Sequence, residues 1–333
     1  MTMTDQPPAN STPRFQIVLA IVVAVFFIVA VIAAAKIAGD RQTYSPVSMG
    51  PVDAPLAESA ACEDIAGSLP GEASGFQRVE ITAPAPVGAV AYRNASGAEL
   101  TVRCGVYAPD QYTVLSSTTD EGGATWLLVS DATPGSNLRT WYSVGSSPVV
   151  AVTTEGDIGS MLDTVGQAVA TAPQEGEGAP QPGAFPLSTV PATASRNDPA
   201  AARVCEGFLT ALPETMGDWQ RTEPTGEAAR QEPDHTATYT GEGLEPVVIR
   251  CGVDMPEAYE AGARLTQVDE VPWFSEPGLA RGSTSGQWFG LGFEQIVAIA
   301  MPQVGGDDVI SPVSRAMAET MDAEPTGGSS ARG

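Results

Sequence analysis

Four cysteines, one histidine and one lysine bound the chemistry open to this 333-residue chain. His235 lies in a polar stretch, so a Ser-His-Asp or Cys-His arrangement would have to be built on it alone. A histidine-ligated metal site lacks ligands for the same reason. Lys36 adjoins a long apolar run, which leaves the rest of the chain without a lysine for a Schiff base. GSTSG at 282–286 has the spacing of a nucleophile elbow, but its centre is Thr284 rather than serine. With no phosphate-binding loop, dinucleotide fingerprint or calcium loop, neither cofactor nor metal is expected. A pair of carboxylates acting on a glycosidic bond stays formally open, because acidic residues abound.

The cysteines gain meaning from a repeat. ACEDIAGSLP at 61–70 matches VCEGFLTALP at 204–213, pairing Cys62 with Cys205, Glu63 with Glu206 and, further on, Arg78 with Arg221. VRCGV at 102–106 matches IRCGV at 249–253, and the same register pairs Trp126 with Trp273 and Trp141 with Trp288. Of the three possible pairings, Cys62 with Cys104 and Cys205 with Cys251 is the one that gives both copies the same staple. Closing such a loop stabilises a domain by about 4 kcal/mol in the entropic model. On this reading, replacing Cys104 by serine destabilises the first copy alone. Such bonds require an oxidising compartment.

Arg103 and Arg250 precede the strand cysteines, and strand alternation aims them at the opposite face, where a solvated charge competes with a ligand-binding role. Gly105 and Gly252 follow, relieving crowding near the bridge. The paired tryptophans, Trp126, Trp273, Trp141 and Trp288, read as core, with binding of sugar rings or a partner as the alternative.

The elements that would position these residues recur in both copies. A short helix, 60–69 or 201–212, ends at a proline. Strands are expected at 76–81, 90–92, 100–106, 125–129, 138–144 and 149–153, the last two joined by a Gly-Ser-Ser-Pro turn; 288–293 and 295–300 repeat that pair. Amphipathic helices at 157–170 and 309–321 close the copies. The economical arrangement is α+β, two tandem copies of a mostly antiparallel sheet with helices on one face.

From Phe15 to Ala35 the chain is apolar except for Gln16, roughly 31 Å of helix and enough to span a bilayer. Ala33 and Ala35 offer an A-x-A-like cleavage site, but the run is longer than the apolar core of a signal peptide. No cysteine follows it closely, so a lipid-modified cysteine is not the anchor. Arg14 before the run and Lys36 and Arg41 after it give little orientation. The cysteines decide it, with the N-terminus cytoplasmic and the copies outside. The expected organisation is a cytoplasmic tail 1–14, a transmembrane helix 15–35, a spacer 36–56, copies at 57–171 and 201–322 separated by a flexible Pro/Gly/Ala-rich linker 172–200, and a disordered tail 323–333.

Each copy's cysteine in an opening helix, its Leu-Pro end, the Arg-Cys-Gly-Val strand and the tryptophan after it resemble the exported actinobacterial proteins grouped as domain of unknown function 3515. The resemblance covers 57–171 and 201–322 and implies a cell-envelope location without an activity. Two departures stand out: that family resembles a single copy, and its members often resemble lipoproteins.

With 40 acidic against 16 basic residues, the chain lacks the clustered cations that nucleic acid requires. The expected partners are the bilayer, through the apolar helix, and an unknown envelope protein or glycan. A non-enzymatic envelope binding or accessory module is therefore the leading expectation, since linked copies raise avidity without new chemistry. Its rival is an enzyme acting on envelope polysaccharide or peptide through acidic residues; a structural spacer without a ligand is a third reading.

Overall fold

A computed structural model describes residues 14–324 other than 132, 134, 194–197, 261 and 278–284. Residues 1–13 of the stretch read as a cytoplasmic tail, most of the C-terminal tail and Thr284 of the elbow-like stretch therefore lie outside the described residues. An apolar helix, α1 (Arg14–Thr43), continues past the expected span through Lys36. Its apolar stretch Gln16–Gly39 is long enough to cross a membrane and packs against nothing else among the described residues.

The first copy contains α2 (Ala60–Ser68), β1 (Glu72–Ala73), β2 (Phe76–Val79), β3 (Ala89–Asn94), β4 (Glu99–Val106), β5 (Thr118–Glu121), β6 (Ala124–Ser130), β7 (Arg139–Ser143), β8 (Val149–Thr154) and α3 (Met161–Thr171). The second contains α4 (Pro199–Ala211), β9 (Thr215–Met216), β10 (Trp219–Arg221), α5 (Gly226–Gln231), β11 (Thr236–Thr240), β12 (Val247–Val253), β13 (Thr266–Val268), β14 (Val271–Pro277), β15 (Ser285–Gly290), β16 (Ile296–Pro302) and α6 (Gly306–Thr320). Each forms an eight-stranded antiparallel sheet of one topology, β1-β2-β3-β4-β8-β7-β6-β5 and β9-β10-β11-β12-β16-β15-β14-β13. Two four-stranded meanders thus join where β4 meets β8, or β12 meets β16. The extra hairpin strand β5 and helix α5 were not expected from sequence.

Strand alternation decides which side of the sheet is packed by helices. Leu100, Val102 and Cys104 of β4 face α2 and α3 in one core, and Val247, Ile249 and Cys251 of β12 face α4 and α6 in the other. Trp126 and Trp273 are fully buried there, their indole N–H groups donating to Glu121 O and Ser314 Oγ. The disulfides Cys62–Cys104 and Cys205–Cys251 join the opening helix to the central strand, with Cα atoms 5.5 Å apart in each.

The second face of each sheet differs from expectation. The stretch 36–56, read as a spacer, docks at its end: Val47 forms a parallel bridge with Ile81, and Val47 and Met49 are buried against β3. The linker 172–200, read as flexible, is held at several points. Glu175 accepts a hydrogen bond from Ala61 N at the start of α2, and Gly183 exchanges backbone hydrogen bonds with Tyr112 and Val114 of the first copy. Phe185 and Leu187 are buried against Val248, Phe289 and Ala298 of the second sheet. Apolar residues in a Pro-rich stretch thus act as a strap over a face that β12 and β16 leave apolar. At the C-terminus, Phe293 bridges Ala323, so order persists to the start of the segment read as disordered.

Candidate functional site

The repeated residues explain themselves structurally, one after another. Arg78 donates to Ala66 O and Leu69 O, and Arg221 to Leu209 O, satisfying carbonyls that the ends of α2 and α4 leave open. Tyr92 donates to Pro70 O at 2.8 Å and Tyr239 to Pro213 O at 2.7 Å. This tyrosine pair escaped the sequence reading, although Tyr92 and Tyr239 share the register of the paired tryptophans. Burial pushes Tyr92 up, offset by Arg78, and pushes Tyr239 up to about 12 against the opposing Arg221. A phenol whose folded value lies above its unfolded value of about 10 contributes stability below pH 10 that is lost as pH rises toward 12. Tyr239→Phe is therefore expected to cost about 1 kcal/mol at neutral pH and to remove part of the alkaline unfolding. A urea series at pH 7 and above pH 10, monitored by tryptophan fluorescence, reads both.

Arg103 and Arg250 point away from the cysteines as alternation requires, but neither is simply a solvated charge. Arg103 donates to Gly50 O at 2.9 Å, and burial lowers its pKa. Arg250, only 3% exposed, donates through Nη1 to Leu187 O at 2.9 Å and Val190 O at 2.6 Å. Both arginines hold the segment that precedes their own copy. Gly105 and Gly252 have positive φ where the β4–β8 and β12–β16 registers slip by a residue. A Cβ on Gly105 would stand 2.3 Å from Leu56 C and Ala57 N, so the bulge admits the backbone leading into α2. Glu63 and Glu206 are exposed. His235 sits at positive φ and offers its carbonyl to Cys251 N. Among the described residues no group of three or more His, Cys, Asp or Glu side chains could hold a metal ion.

Matches to the family model described as protein of unknown function (DUF3515) span residues 21–178 and 165–326. The chain belongs to this family. No curated protein and no solved structure matches it. Within the two DUF3515 copies the repeated residues build the fold, which turns attention to surfaces that only the tandem creates.

One such surface is a cleft of about 730 Å³ between the copies. Leu127, Leu128, Arg139 and Trp141 of β6 and β7, with the loop after β4, form one wall. Asp218 and Gln220 around β10, with the 241–246 loop between β11 and β12, form the other. Trp141 reaches it from the first core, whereas Trp288, half-buried, packs against the second core and is not among its lining residues. The copies touch where Ser130 N donates to Gly243 O at 2.7 Å. Gly243 has φ +68°, and a Cβ there would stand 2.3 Å from Ser130 Oγ and 2.9 Å from Leu128 Cγ. Gly243→Val is expected to open this contact at about 1–3 kcal/mol while leaving both disulfides formed. Small-angle scattering that shows an unchanged radius of gyration would contradict that account. Arg139 and Asp218 have no counterpart of their own type in the repeat register, which is why repetition did not single them out; Gln220 repeats Gln77 beside the Arg78–Arg221 pair and escaped the reading.

Proposed function

We propose that this DUF3515 chain is a membrane-anchored, extracytoplasmic binding or accessory module of the cell envelope. One observation carries the reading: an unpacked apolar helix runs to within four residues of a docked strap on a disulfide-stapled copy. The helix supports anchoring rather than removal, because its apolar length exceeds that of a signal peptide. The disulfides support an oxidising side for both copies, and therefore a cytoplasmic N-terminus. The tandem supports binding, since it creates a cleft that neither copy has alone.

The reading is tested in native membranes by protease shaving followed by non-reducing peptide mapping and N-terminal sequencing. Copies digested from the outer side, with both intra-copy disulfides and an N-terminus preceding α1, agree with it. Protected copies with free thiols would reverse the topology, and a mature N-terminus after Ala35 would replace the anchor by a cleaved leader.

A further inference from the structure

We infer that the cleft between the copies is a binding site for a neutral saccharide, a deepening of the binding-module reading on which it rests. Size comes first: about 730 Å³ falls within the range of small-ligand sites, about 300–1,000 Å³. The lining then restricts chemistry. Side-chain amides (Gln111, Gln220) and hydroxyls (Thr119, Thr240) are interleaved with apolar surface from Leu128 and Trp141. Sugar rings present the matching pattern, an apolar C–H face bounded by hydroxyls that both donate and accept. Arg139 stands on one wall and Asp218 and Glu242 on the other, and among the described residues none of the three forms an ion pair. Charged side chains in that state bind hydroxyls strongly, a carboxylate accepting from them and a guanidinium donating to them.

Charge then selects among saccharides. Carboxylates outnumber the one cation in the cleft, and the whole chain carries −24, so uronates, phosphorylated glycans and other polyanions are repelled. A basic peptide would satisfy the carboxylates but bring its own cations against Arg139, which favours the neutral sugar. Because the walls belong to different copies, the occupant bridges them and fixes their mutual orientation.

The test uses the full chain in a non-glycosidic detergent, titrated by calorimetry with a neutral linear tetrasaccharide of N-acetylhexosamine units, a tetrauronate and tetralysine. Saturable binding of the neutral probe alone is expected, weakened about tenfold in Asp218→Asn/Gln220→Ala and unchanged in Glu63→Gln, with thermal melting the same in all. Tetralysine binding that Asp218→Asn abolishes would overturn the saccharide assignment while leaving the binding-module reading intact. Absence of saturable sugar binding, or binding indifferent to the double variant, would overturn the inference outright. Wrong-side labelling of the copies in membranes would instead remove the reading beneath it.

Discussion

Replacing Cys62 and Cys104 together by alanine is expected to destabilise the protein by about 4 kcal/mol and to lower its melting temperature by about 10 °C. The staple closes a loop of 42 residues between α2 and the central strand β4, so its loss enlarges the unfolded ensemble of the first copy most directly. Repeat symmetry alone limits the damage to that copy, but the structure extends it. Val114 and Leu115, from the loop after β4, pack into the cluster that covers the second face of the second sheet. Unfolding the first copy withdraws this cover together with the Tyr112–Gly183–Val114 backbone bonds that position the strap. A single calorimetric transition, displaced as a whole, is therefore expected. Two transitions with only one displaced would show that the copies melt independently, as the sequence alone led us to expect.

Arg250→Ala is expected to cost about 3 kcal/mol and to free residues 185–190. Removing the buried guanidinium takes the side-chain donor from Val190 O and leaves Leu187 O with the Val190 N–H alone, beneath the apolar strap. Phe185, still tied to Gln231 through its N–H, and Leu187 then lose the central one of the bonds that fix their depth against β12 and β16. Arg103→Ala removes a single bond from a half-buried side chain and is expected to cost about 1 kcal/mol. Amide hydrogen exchange separates the two: protection should collapse at 185–190 in the Arg250 variant and persist there in the Arg103 variant. Unchanged protection at 185–190 in the Arg250 variant would mean that apolar burial alone holds the strap.

Much of the fold was legible because the elements carry their own periods. Met161, Leu162, Val165 and Val169 mark α3 at helical spacing, although Ile158, read into that helix, lies before the turn that starts it, and alternating Leu100, Val102 and Cys104 fix the face of β4. Duplication then supplied the cysteine pairing, which no single copy could have specified against its alternatives. What stayed hidden has no local period. β5 is Thr-Thr-Asp-Glu, exposed throughout, and becomes a strand only because the Gly122-Gly123 turn folds it onto β6. Phe185 and Leu187 are two apolar residues in a Pro-rich stretch, and their burial depends on a sheet face assembled from residues more than 50 positions later. Trp219 reads as an ordinary aromatic, yet its indole donates to Glu245 O and braces the loop that forms a wall of the cleft. The arginines were legible in direction but not in occupation, since alternation says which face a side chain leaves by and nothing of what lies over it. The cleft was the least legible feature, because its walls come from two copies and are brought together only by docking.

The strap over the first sheet has one more consequence. From Thr43 at the end of α1 to Val47 in its bridge is four peptide steps, a reach of at most about 14 Å. With α1 held in a bilayer, the first copy is moored against the surface as a footing, without a leash on which to swing. The second copy rides on the first through Ser130 and Gly243, through Val114 and Leu115 in its second-face cluster, and through the strap. The opening between them is then presented at a set height, so it can reach only what passes through one thin layer above the lipid headgroups.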